Sequence, residues 1–543
     1  MTEPSQTPVK NDNKFLKGTL ILTTSAIVVK VIGALNWILL SRVLGGEGIG
    51  LYQMGFPIYL MAITVSSAGI PVAISIITSE KLAQNDFLGA KRVFNVSLRL
   101  LFCTGLVFSS ALFFGAQWLI DMQFIRDPRA YYSIIALAPA VFFVTFLASF
   151  RGYLQGWQIM TPTACSEITE QLMRVITMLF FASYFMPYGL TKAAGGASMG
   201  AGVGAFCALL VLMWFYHRLK RGLKAKMAQQ NPDALREQAW SIIKRLLKLA
   251  LPVSVTSLML PIVANLDLLI VPQRLEVAGF DVRHATELFG YLTGMAVPLV
   301  NLATIFTAAL AISLVPAVSE ARALGNKLSI QHKTGTAFRV ALIVTFPCFM
   351  GLFFLAEKVA GLIYNAPGAA PAIQTMSIGI VLLGLHQVST AVLQGMGRTT
   401  IPVINMAIAC VAKVILSWNL TSIPELGIKG SAIATIADFG VAALVNMWFI
   451  YKLTGYRIHM DGVLKPLFAA AAMGLAVQVI LLLTPTWRAW SILLAMLVAV
   501  PVYGFSLLKL GGVSRADLEM LPFVGRKLLG VCQKLGYFRD GDK

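Results

Sequence analysis

The chain has 543 residues, of which 57% are hydrophobic and only 13% are charged. This composition excludes an ordinary soluble globular protein and is typical of an integral membrane protein. The formal net charge of +20 would, in a soluble protein, suggest binding to a nucleic acid. In a membrane protein, however, the accumulation of Lys and Arg in cytoplasmic loops explains this charge without a nucleic acid as partner.

Apolar segments of about 20 or more residues recur along nearly the whole chain, and each is long enough to cross a hydrocarbon core of about 30 Å as a helix. We therefore predict an all-α polytopic membrane protein with fourteen transmembrane helices. The predicted spans are residues 16–40, 50–78, 93–120, 130–155, 161–187, 193–217, 249–271, 287–317, 335–364, 369–396, 401–423, 427–452, 463–484 and 488–510.

The distribution of the 44 Lys and Arg residues predicts the orientation of the chain. With both termini and every second loop in the cytoplasm, most of these residues lie inside, as the positive-inside rule requires. We therefore predict a multi-pass protein of the cell (plasma) membrane with both termini cytoplasmic, and anionic membrane lipids as partners. The largest cytoplasmic cluster follows the sixth span and comprises Arg218, Lys220, Arg221, Lys224, Lys226, Arg236, Lys244, Arg245 and Lys248.

The two halves of the chain share a sequence pattern. Leu154–Gly156 and Pro162 recur as Leu393–Gly395 and Pro402, 239 or 240 residues later. The end of the sixth span resembles the end of the twelfth at an offset of 234 residues. Because each repeat holds an even number of spans, both repeats have the same orientation in the membrane, and we expect a cleft between them.

The repeat predicts a division into five parts. These are an N-terminal six-helix lobe at residues 1–217, a basic cytoplasmic linker at 218–248, a C-terminal six-helix lobe at 249–453, two extra helices at 454–510, and a basic cytoplasmic tail at 511–543.

Charged residues inside the spans are the candidates for a functional site. An ionised group at mid-bilayer costs from about 2.5 to more than 10 kcal/mol if it faces lipid, so such groups usually face the bundle interior. Lys30, Arg174 and Lys413 each lie deep in a span, and the repeat pairs Arg174 with Lys413. We predict that these three line a cationic cleft that binds substrate. The predicted supporting or ion-coupling residues are Glu167, Glu170, Asp438, Asp267 and Asn36.

Glu170 precedes Arg174 by four residues, so both lie on one face of a helix together with Glu167. Two interpretations of this pair are open. Glu170 either positions Arg174 for substrate, or the pair only neutralises two charges in a crowded helical bundle. Lys413 has no acidic residue within four positions on its own helix, so it either pairs across helices or faces water. For Lys30 we expect a buried role.

The sequence contains no GxxxxGK[ST], HExxH or GxSxG motif, so nothing points to ATP hydrolysis, zinc chemistry or acyl transfer. The six cysteines lack CxxC spacing and are interpreted as packed thiols. We predict no enzymatic activity, no metal and no cofactor, and leave coupling to Na⁺ or H⁺ open. Three cations in one cleft favour an anionic ligand, such as a phosphate or pyrophosphate carried on a lipid whose tail stays in the bilayer.

Several motifs resemble one family. Residues Phe15–Leu22, Gly46–Tyr52, Gly69–Ser75 and the segment Arg151–Arg174 closely resemble the stage V sporulation protein B and polysaccharide biosynthesis family. That family belongs to the multidrug, oligosaccharidyl-lipid and polysaccharide (MOP) flippase superfamily. The resemblance covers essentially the whole chain. It implies two six-helix lobes plus two extra helices, and alternating-access movement of undecaprenyl-diphosphate-linked saccharides or peptidoglycan precursors from the inner to the outer leaflet, in sporulation or in general cell-wall synthesis.

The resemblance extends to individual charged residues of the first and fifth spans. Glu170 and Arg174 match the family pattern of the fifth span, and Lys30–Gly33 matches a basic residue before a glycine of the first helix. The chain departs from the family at Asn36 and Trp37, where relatives usually carry an arginine, and at Tyr291–Gly294, where similar lipid II flippases carry a basic residue. Both departures argue against lipid II itself as the cargo.

The sequence thus predicts a flippase for a lipid-linked anionic glycan. One alternative is a cation-coupled multidrug exporter of the same fold, although the first helix carries Lys30 and no acidic residue at membrane depth. Another is a non-transporting scaffold that recruits cell-envelope assembly enzymes.

Overall fold

A computed structural model describes residues 9–67, 69–228, 230, 237–484 and 488–512. All regular secondary structure within these ranges is helical, which confirms the predicted all-α class. The α-helices are α1 Val9–Ser67, α2 Ile70–Ala83, α3 Phe87–Asp121, α4 Tyr131–Gly156, α5 Thr161–Phe185, α6 Leu190–Ala228, α7 Ala239–Val277, α8 Val282–Gly290, α9 Val297–Ala303, α10 Ile305–Ala323, α11 Lys327–Lys358, α12 Ala370–Ser377, α13 Gly379–Gly395, α14 Thr400–Leu420, α15 Ile428–Thr454, α16 Met460–Leu483 and α17 Arg488–Lys509.

The described helices confirm a multi-pass membrane protein. Eleven helical segments are long and apolar enough to cross a membrane, or twelve if the bent pair Pro367–Ser377 and Gly379–Gly395 forms one span. The predicted total of fourteen is not confirmed by this measure, for two physical reasons. The first two predicted spans fall in one continuous segment, Thr24–Ala83, and α5 is helical but carries three charged residues.

Two glycines account for the changes of direction in that long segment. Gly45 has φ 67° and ψ −175° and interrupts the helical dihedrals inside α1. Gly69, with φ 74°, precedes α2 and lies against the backbone of α7, where a Cβ atom would be 2.3 Å from the carbonyl oxygen of Ala250. Only glycine adopts such dihedrals without steric cost and allows so close an approach.

The helices form two compact units. Unit 1 comprises Met1–Pro272 and Val282–Gly290, and unit 2 comprises Gln273–Asp281 and Tyr291–Lys543. Unit 1 therefore takes in most of α7, which the sequence assigned to the second lobe, and the predicted boundary at 218–248 stays a prediction. The side chains of Lys224 and Lys226, residue Arg236 and the tail from residue 513 lie outside the described residues.

Specific contacts explain why α7 packs with unit 1. The amide of Asn265, which is 8% exposed, donates to the carbonyl oxygens of Pro57 and Pro261 at 2.8 Å. Pro57 lies inside α1, where its ring disrupts the regular hydrogen-bond ladder. The carbonyl that the proline ring leaves without its helical donor is that of Gln53, four residues earlier. The bond from Asn265 is therefore an additional side-chain to backbone contact that fixes α7 against α1.

Candidate functional site

The segment from α4 to α5 brings two arginines to one carboxylate. Helix α4 ends at Gly156, and α5 begins at Thr161 with Pro162 in its first turn, a position that proline tolerates because no intrahelical donor is needed there. The turn between them includes Gln158 in the left-handed region, with φ 57°. The reversal lays the end of α4 alongside the first turns of α5.

Glu170 on α5 lies between the two guanidinium groups. Its Oε2 accepts from Nη2 of Arg151 and its Oε1 from Nη2 of Arg174, both at 2.8 Å. Nε of Arg151 also donates to Oγ of Ser166 at 3.1 Å. The three charged side chains are only 14–19% exposed. Glu167, three residues before Glu170, also interacts electrostatically with Arg151, so two carboxylates partly or fully compensate the two guanidinium groups at this largely enclosed position.

Arg151 is a member of this triad that sequence reasoning missed. It lies in the fourth predicted span, four residues before its end, and has no acidic neighbour on its own helix. A signal was present, because Arg151 begins the segment that carries the family resemblance. Its pairing with Glu170 depends on the antiparallel packing of two helices, which a helical-periodicity argument on α5 alone does not reveal.

Small residues of α6 hold α5 in place at this level. A Cβ atom at Gly204 would lie 2.6 Å from the carbonyl oxygen of Glu170, and one at Gly200 would lie 2.8 Å from that of Arg174. The Gly200–Gly204 spacing is the small-xxx-small pattern that lets membrane helices approach closely. The backbone bearing the ion pair is therefore fixed by direct helix–helix contact.

The second half of α1 lines the other side of Arg174. Tyr52 and Tyr59, each 2% exposed, both interact electrostatically with its guanidinium group. They belong to a column of aromatic rings in the order Trp37, Tyr52, Phe56 and Tyr59, with successive centroids 5.8, 6.0 and 5.8 Å apart. Arg174 thus interacts with a carboxylate on its own helix and with the phenol groups of two buried tyrosines on α1.

The first half of α1 packs along α5 and carries two other predicted residues. Ser25 Oγ donates to Oε2 of Glu167 at 3.4 Å, and the buried Nδ2 of Asn36 lies 3.2 Å from Sδ of Met178. Lys30 differs from expectation, because its side chain is exposed rather than enclosed by the protein. Its membership of a cationic cleft stays a prediction, since exposure alone does not say what it faces.

In unit 2, α14 carries the counterpart of Arg174. Lys413 is 4% exposed and Asp438, on the adjacent helix α15, is 7% exposed. A network of neutral side chains joins α13, α14 and α15: Asn405 donates to Asn446 at 2.7 Å, and Asn446 donates to Ser389 at 3.2 Å. Unit 2 thus contains buried neutral amides in addition to Lys413 and Asp438.

The remaining predicted residue is Asp267, half-buried on α7 in unit 1, two residues beyond Asn265. Its supporting role stays a prediction, as does the convergence of Lys30, Arg174 and Lys413 on one cleft. Among the described residues no group of three or more His, Cys, Asp or Glu side chains could hold a metal ion. The triad itself offers two guanidinium groups whose remaining N–H donors are not used by Glu170.

Two family models match the chain. One, described as polysaccharide biosynthesis protein, matches residues 15–279, and the other, described as MatE, matches residues 292–419. The matches fall on the two halves of the chain, in agreement with the internal repeat.

Relatives of similar length come from Bacillus subtilis (strain 168). Stage V sporulation protein B is 27% identical over 517 residues, covering 95% of this chain and 99% of that protein. The lipid II flippase MurJ of the same organism is 24% identical over 485 residues, covering 86% of this chain and 88% of that protein. The similarity to these relatives therefore extends over most of the chain.

Solved structures show the same fold. A lipid II flippase MurJ in an inward closed conformation has a TM-score of 0.68 at 15% identity and covers 90% of this chain and 98% of its own. An inward-facing multidrug resistance MATE transporter of the MOP superfamily has a TM-score of 0.64 at 17% identity, covering 79% and 94%. The fold predicted from the sequence is confirmed.

Proposed function

We propose that this chain, which belongs to the multidrug, oligosaccharidyl-lipid and polysaccharide (MOP) flippase superfamily, carries lipids with anionic headgroups across the membrane. In this proposal the cargo is an undecaprenyl-diphosphate-linked saccharide or a peptidoglycan precursor, moved from the inner to the outer leaflet by alternating access. The observation that carries the proposal is the triad of Arg151, Glu170 and Arg174, which holds two guanidinium groups inside a helical bundle; Lys413 is the buried cation at the corresponding position of the other half.

The triad suits reversible binding of a diphosphate. Glu170 compensates the two arginines while the site is empty, so neither cation has to lose its partner in the resting protein. An incoming diphosphate offers several acceptor oxygens to the donors that Glu170 leaves unused, and arginine recognises phosphate through its planar fork of donors. Because the site keeps its own carboxylate, binding stays weak enough to allow release, as a carrier requires.

The energetics favour outward movement of an anion. When the cell interior is negative, outward movement of each negative elementary charge releases about 2.3 kcal/mol of free energy per 100 mV of membrane potential. A diphosphate headgroup therefore needs no nucleotide hydrolysis in order to be exported, which fits a sequence without a phosphate-binding loop. The polyprenyl tail stays in the hydrocarbon phase during the movement and pays no transfer cost.

The experiment is leaflet exchange in vesicles that contain the purified protein. A fluorescent undecaprenyl-diphosphate sugar is the test substrate, and the same sugar on neutral undecaprenol is the matched control. We expect exchange of the diphosphate lipid at a rate well above that of protein-free vesicles, with acceleration by an inside-negative potential for outward movement. Equal rates for the charged and neutral lipids, or no exchange of either, would contradict the proposal; absence of all exchange would favour a scaffold for envelope-assembly enzymes.

A second candidate function is cation-coupled export of drugs. The observation in its favour is Glu167, which accepts a hydrogen bond from Ser25 but forms no salt bridge among the described residues. An acidic residue without an ion pair inside a membrane protein is a candidate for binding H⁺ or Na⁺. Uptake of ethidium into vesicles under a proton or sodium gradient tests this function, and the Glu167→Gln variant tests the residue. The same variant in the lipid assay shows whether lipid movement itself is ion-coupled.

A further inference from the structure

A large cavity in unit 2 lies apart from α5 and α14. It has a volume of about 1140 Å³ and lies between the first turns of α11, the segment 455–459 that follows α15, and the start of α16. None of the residues that the sequence or the triad placed in the transport site lines it. The cavity therefore needs its own explanation.

The cavity extends from the beginning of α11 towards the middle of that helix. Helix α11 has 32 residues, which at 1.5 Å per residue gives a length of about 48 Å, whereas the hydrocarbon core is about 30 Å thick. The lining residues of α11 lie between Leu328 and Leu342, in the first half of the helix, so the cavity opens towards the headgroups and reaches into the hydrocarbon region. Tyr451 and Trp448 at the end of α15 are exposed aromatic residues of the kind that mark a membrane interface.

The lining of the cavity is strongly basic. Arg339 projects from α11, Arg457 from the connecting segment and Lys465 from α16, so three separate elements each contribute a permanent cation. His332 and His459 also line it, and Asp461 is the one acidic residue in the described lining. Cations converging from three elements are typical of a site for an anion rather than of a solvated helix face.

The floor of the cavity is pre-formed. The rings of Phe338 and Tyr456 are stacked, with centroids 6.0 Å apart and an interplanar angle of 8°. A Cβ atom at Gly335 would lie 3.1 Å from the Tyr456 ring, so the ring packs directly on the backbone of α11. Gln331 Nε2 donates to the carbonyl oxygen of Thr454 at 2.6 Å and ties the connecting segment to the same helix. Binding at such a site requires little reorganisation.

A second, smaller cavity adjoins the first. Its volume is about 430 Å³, and it shares Phe338, Tyr456 and Arg457 with the basic cavity. The rest of its lining is mostly apolar and includes Met447 and Ile450. Arg457 thus lies between a polar compartment and an apolar one. A free phosphate ion would use only the first compartment, whereas a lipid would use both.

We propose that the two cavities together bind a membrane lipid that bears a phosphate headgroup, with the phosphate among Arg339, Arg457 and Lys465 and hydrocarbon along Met447 and Ile450. The two sources of such a headgroup are a resident anionic phospholipid of the same leaflet and a polyprenyl phosphate. The site is separate from the cations assigned to transport, so it stands whether or not the proposed transport function is correct.

Lipid binding by the full-length protein in detergent, followed by native mass spectrometry, tests the proposal. The probes are phosphatidylglycerol, undecaprenyl phosphate, zwitterionic phosphatidylcholine and inorganic pyrophosphate. The test variant is the double substitution Arg457→Gln and Lys465→Gln. The matched control is Lys452→Gln, because Lys452 is an exposed lysine at the end of α15 that contacts the Trp448 ring and does not line the cavity.

We expect the unmodified protein and Lys452→Gln to bind at least one of the two anionic lipids more tightly than phosphatidylcholine. In the double variant that preference should weaken by about thirty-fold, the factor for two cations near a membrane surface. If the double variant loses affinity for phosphatidylglycerol alone, the cavities form a phospholipid site. If it loses affinity for undecaprenyl phosphate alone, they form a site for polyprenyl lipids. An Ile450→Trp variant, which fills the apolar cavity, should also have a lower affinity for that lipid.

Three results would overturn the proposal. One is equal binding of anionic and zwitterionic lipids to the unmodified protein. Another is the same loss of binding in Lys452→Gln as in the double variant, which would show a general effect of surface charge. The third is binding of pyrophosphate as tight as that of the lipids, since the apolar cavity would then contribute nothing.

Discussion

Helices α5 and α14 occupy corresponding positions in the two halves of the chain, yet they stabilise their buried cations differently. Arg174 on α5 pairs with Glu170, one turn earlier on the same helix. The residue one turn before Lys413 on α14 is Ala409, which is fully buried. The internal repeat relates α6 to α15 by an offset of 234 residues. By this offset, Asp438 of α15 corresponds to Gly204 of α6.

The packing around Gly204 explains why the acid can lie on the next helix in unit 2. A Cβ atom at Gly204 would lie 3.1 Å from Cβ of Arg174, so any side chain there would contact the cation-bearing residue. Helices α14 and α15 pack against each other, as α5 and α6 do. We infer that Asp438 is the carboxylate that compensates Lys413. The cation is retained in both halves, whereas the acid is on the same helix in one half and on the next helix in the other.

Neutralising the shared carboxylate of unit 1 should have the largest effect. Glu170→Gln leaves Arg151 and Arg174 close together without an anion between them, and removing one partner from a buried ion pair costs about 3–5 kcal/mol. We expect a large fall in membrane abundance and in the unfolding temperature of the purified protein. Glu167→Gln, one turn earlier, is the control and should change neither. Equal stability of both variants would show that Glu170 does not compensate the arginines.

A charge exchange tests the inferred pair of unit 2. Lys413→Asp and Asp438→Lys should each lower stability by roughly 3 kcal/mol, because each places two like charges in a buried setting. The double variant restores one charge of each sign and should recover most of the lost thermal stability. Additive losses in the double variant would mean that the two residues do not interact.

The neutral network of unit 2 should give an intermediate effect. Asn446→Ala removes the acceptor of Asn405 and the donor to Ser389, and an unsatisfied buried polar group costs about 1–3 kcal/mol. Thermal unfolding should therefore shift less than in Glu170→Gln. A shift as large as that of Glu170→Gln would contradict the distinction between an ionic and a neutral site.

The contact between α1 and Glu167 should have the smallest effect. Ser25→Ala removes one hydroxyl donor, which lies 2.9 Å from the carbonyl oxygen of Leu22 and 3.4 Å from Oε2 of Glu167, and we expect a loss of about 0.5–1 kcal/mol. Because Ser25 itself is buried, Ser25→Thr is a size control rather than a neutral change. If Ser25→Ala has an unfolding temperature as low as that of Asn446→Ala, the contact between α1 and α5 at Ser25 contributes more to stability than its hydrogen-bond distances indicate.

Much of this arrangement follows from the sequence. Helical periodicity places Glu170 and Arg174 on one face of α5, and Pro162 marks the first turn of the helix, where the structure has it. The offset of the repeat pairs Lys413 with Arg174, and the structure shows that Lys413 is buried as well. These predictions succeed because they depend on local geometry and on the internal duplication.

Other features depend on tertiary packing and could not be predicted in the same way. Arg151 joins Glu170 only because α4 and α5 run antiparallel at one particular register. Lys30 was expected to be enclosed because of its depth in a span, but depth does not determine which way a side chain faces, and it is exposed. The apolar cavity beside Arg457 is formed by α11, α15 and the segment after it, none of which has a distinctive motif.

The central claim is that each half of the chain contributes one cation that a diphosphate lipid needs for transport. The most direct test measures leaflet exchange of the undecaprenyl-diphosphate sugar by Arg174→Met and Lys413→Met, with Arg174→Lys and Lys413→Arg as charge-conserving controls and Lys452→Gln as a remote one. Both Met variants should lose exchange by at least about tenfold at normal membrane abundance, because each lacks one contact with the anion, and the charge-conserving variants should retain part of it. Exchange at the unmodified rate in either Met variant would contradict the claim.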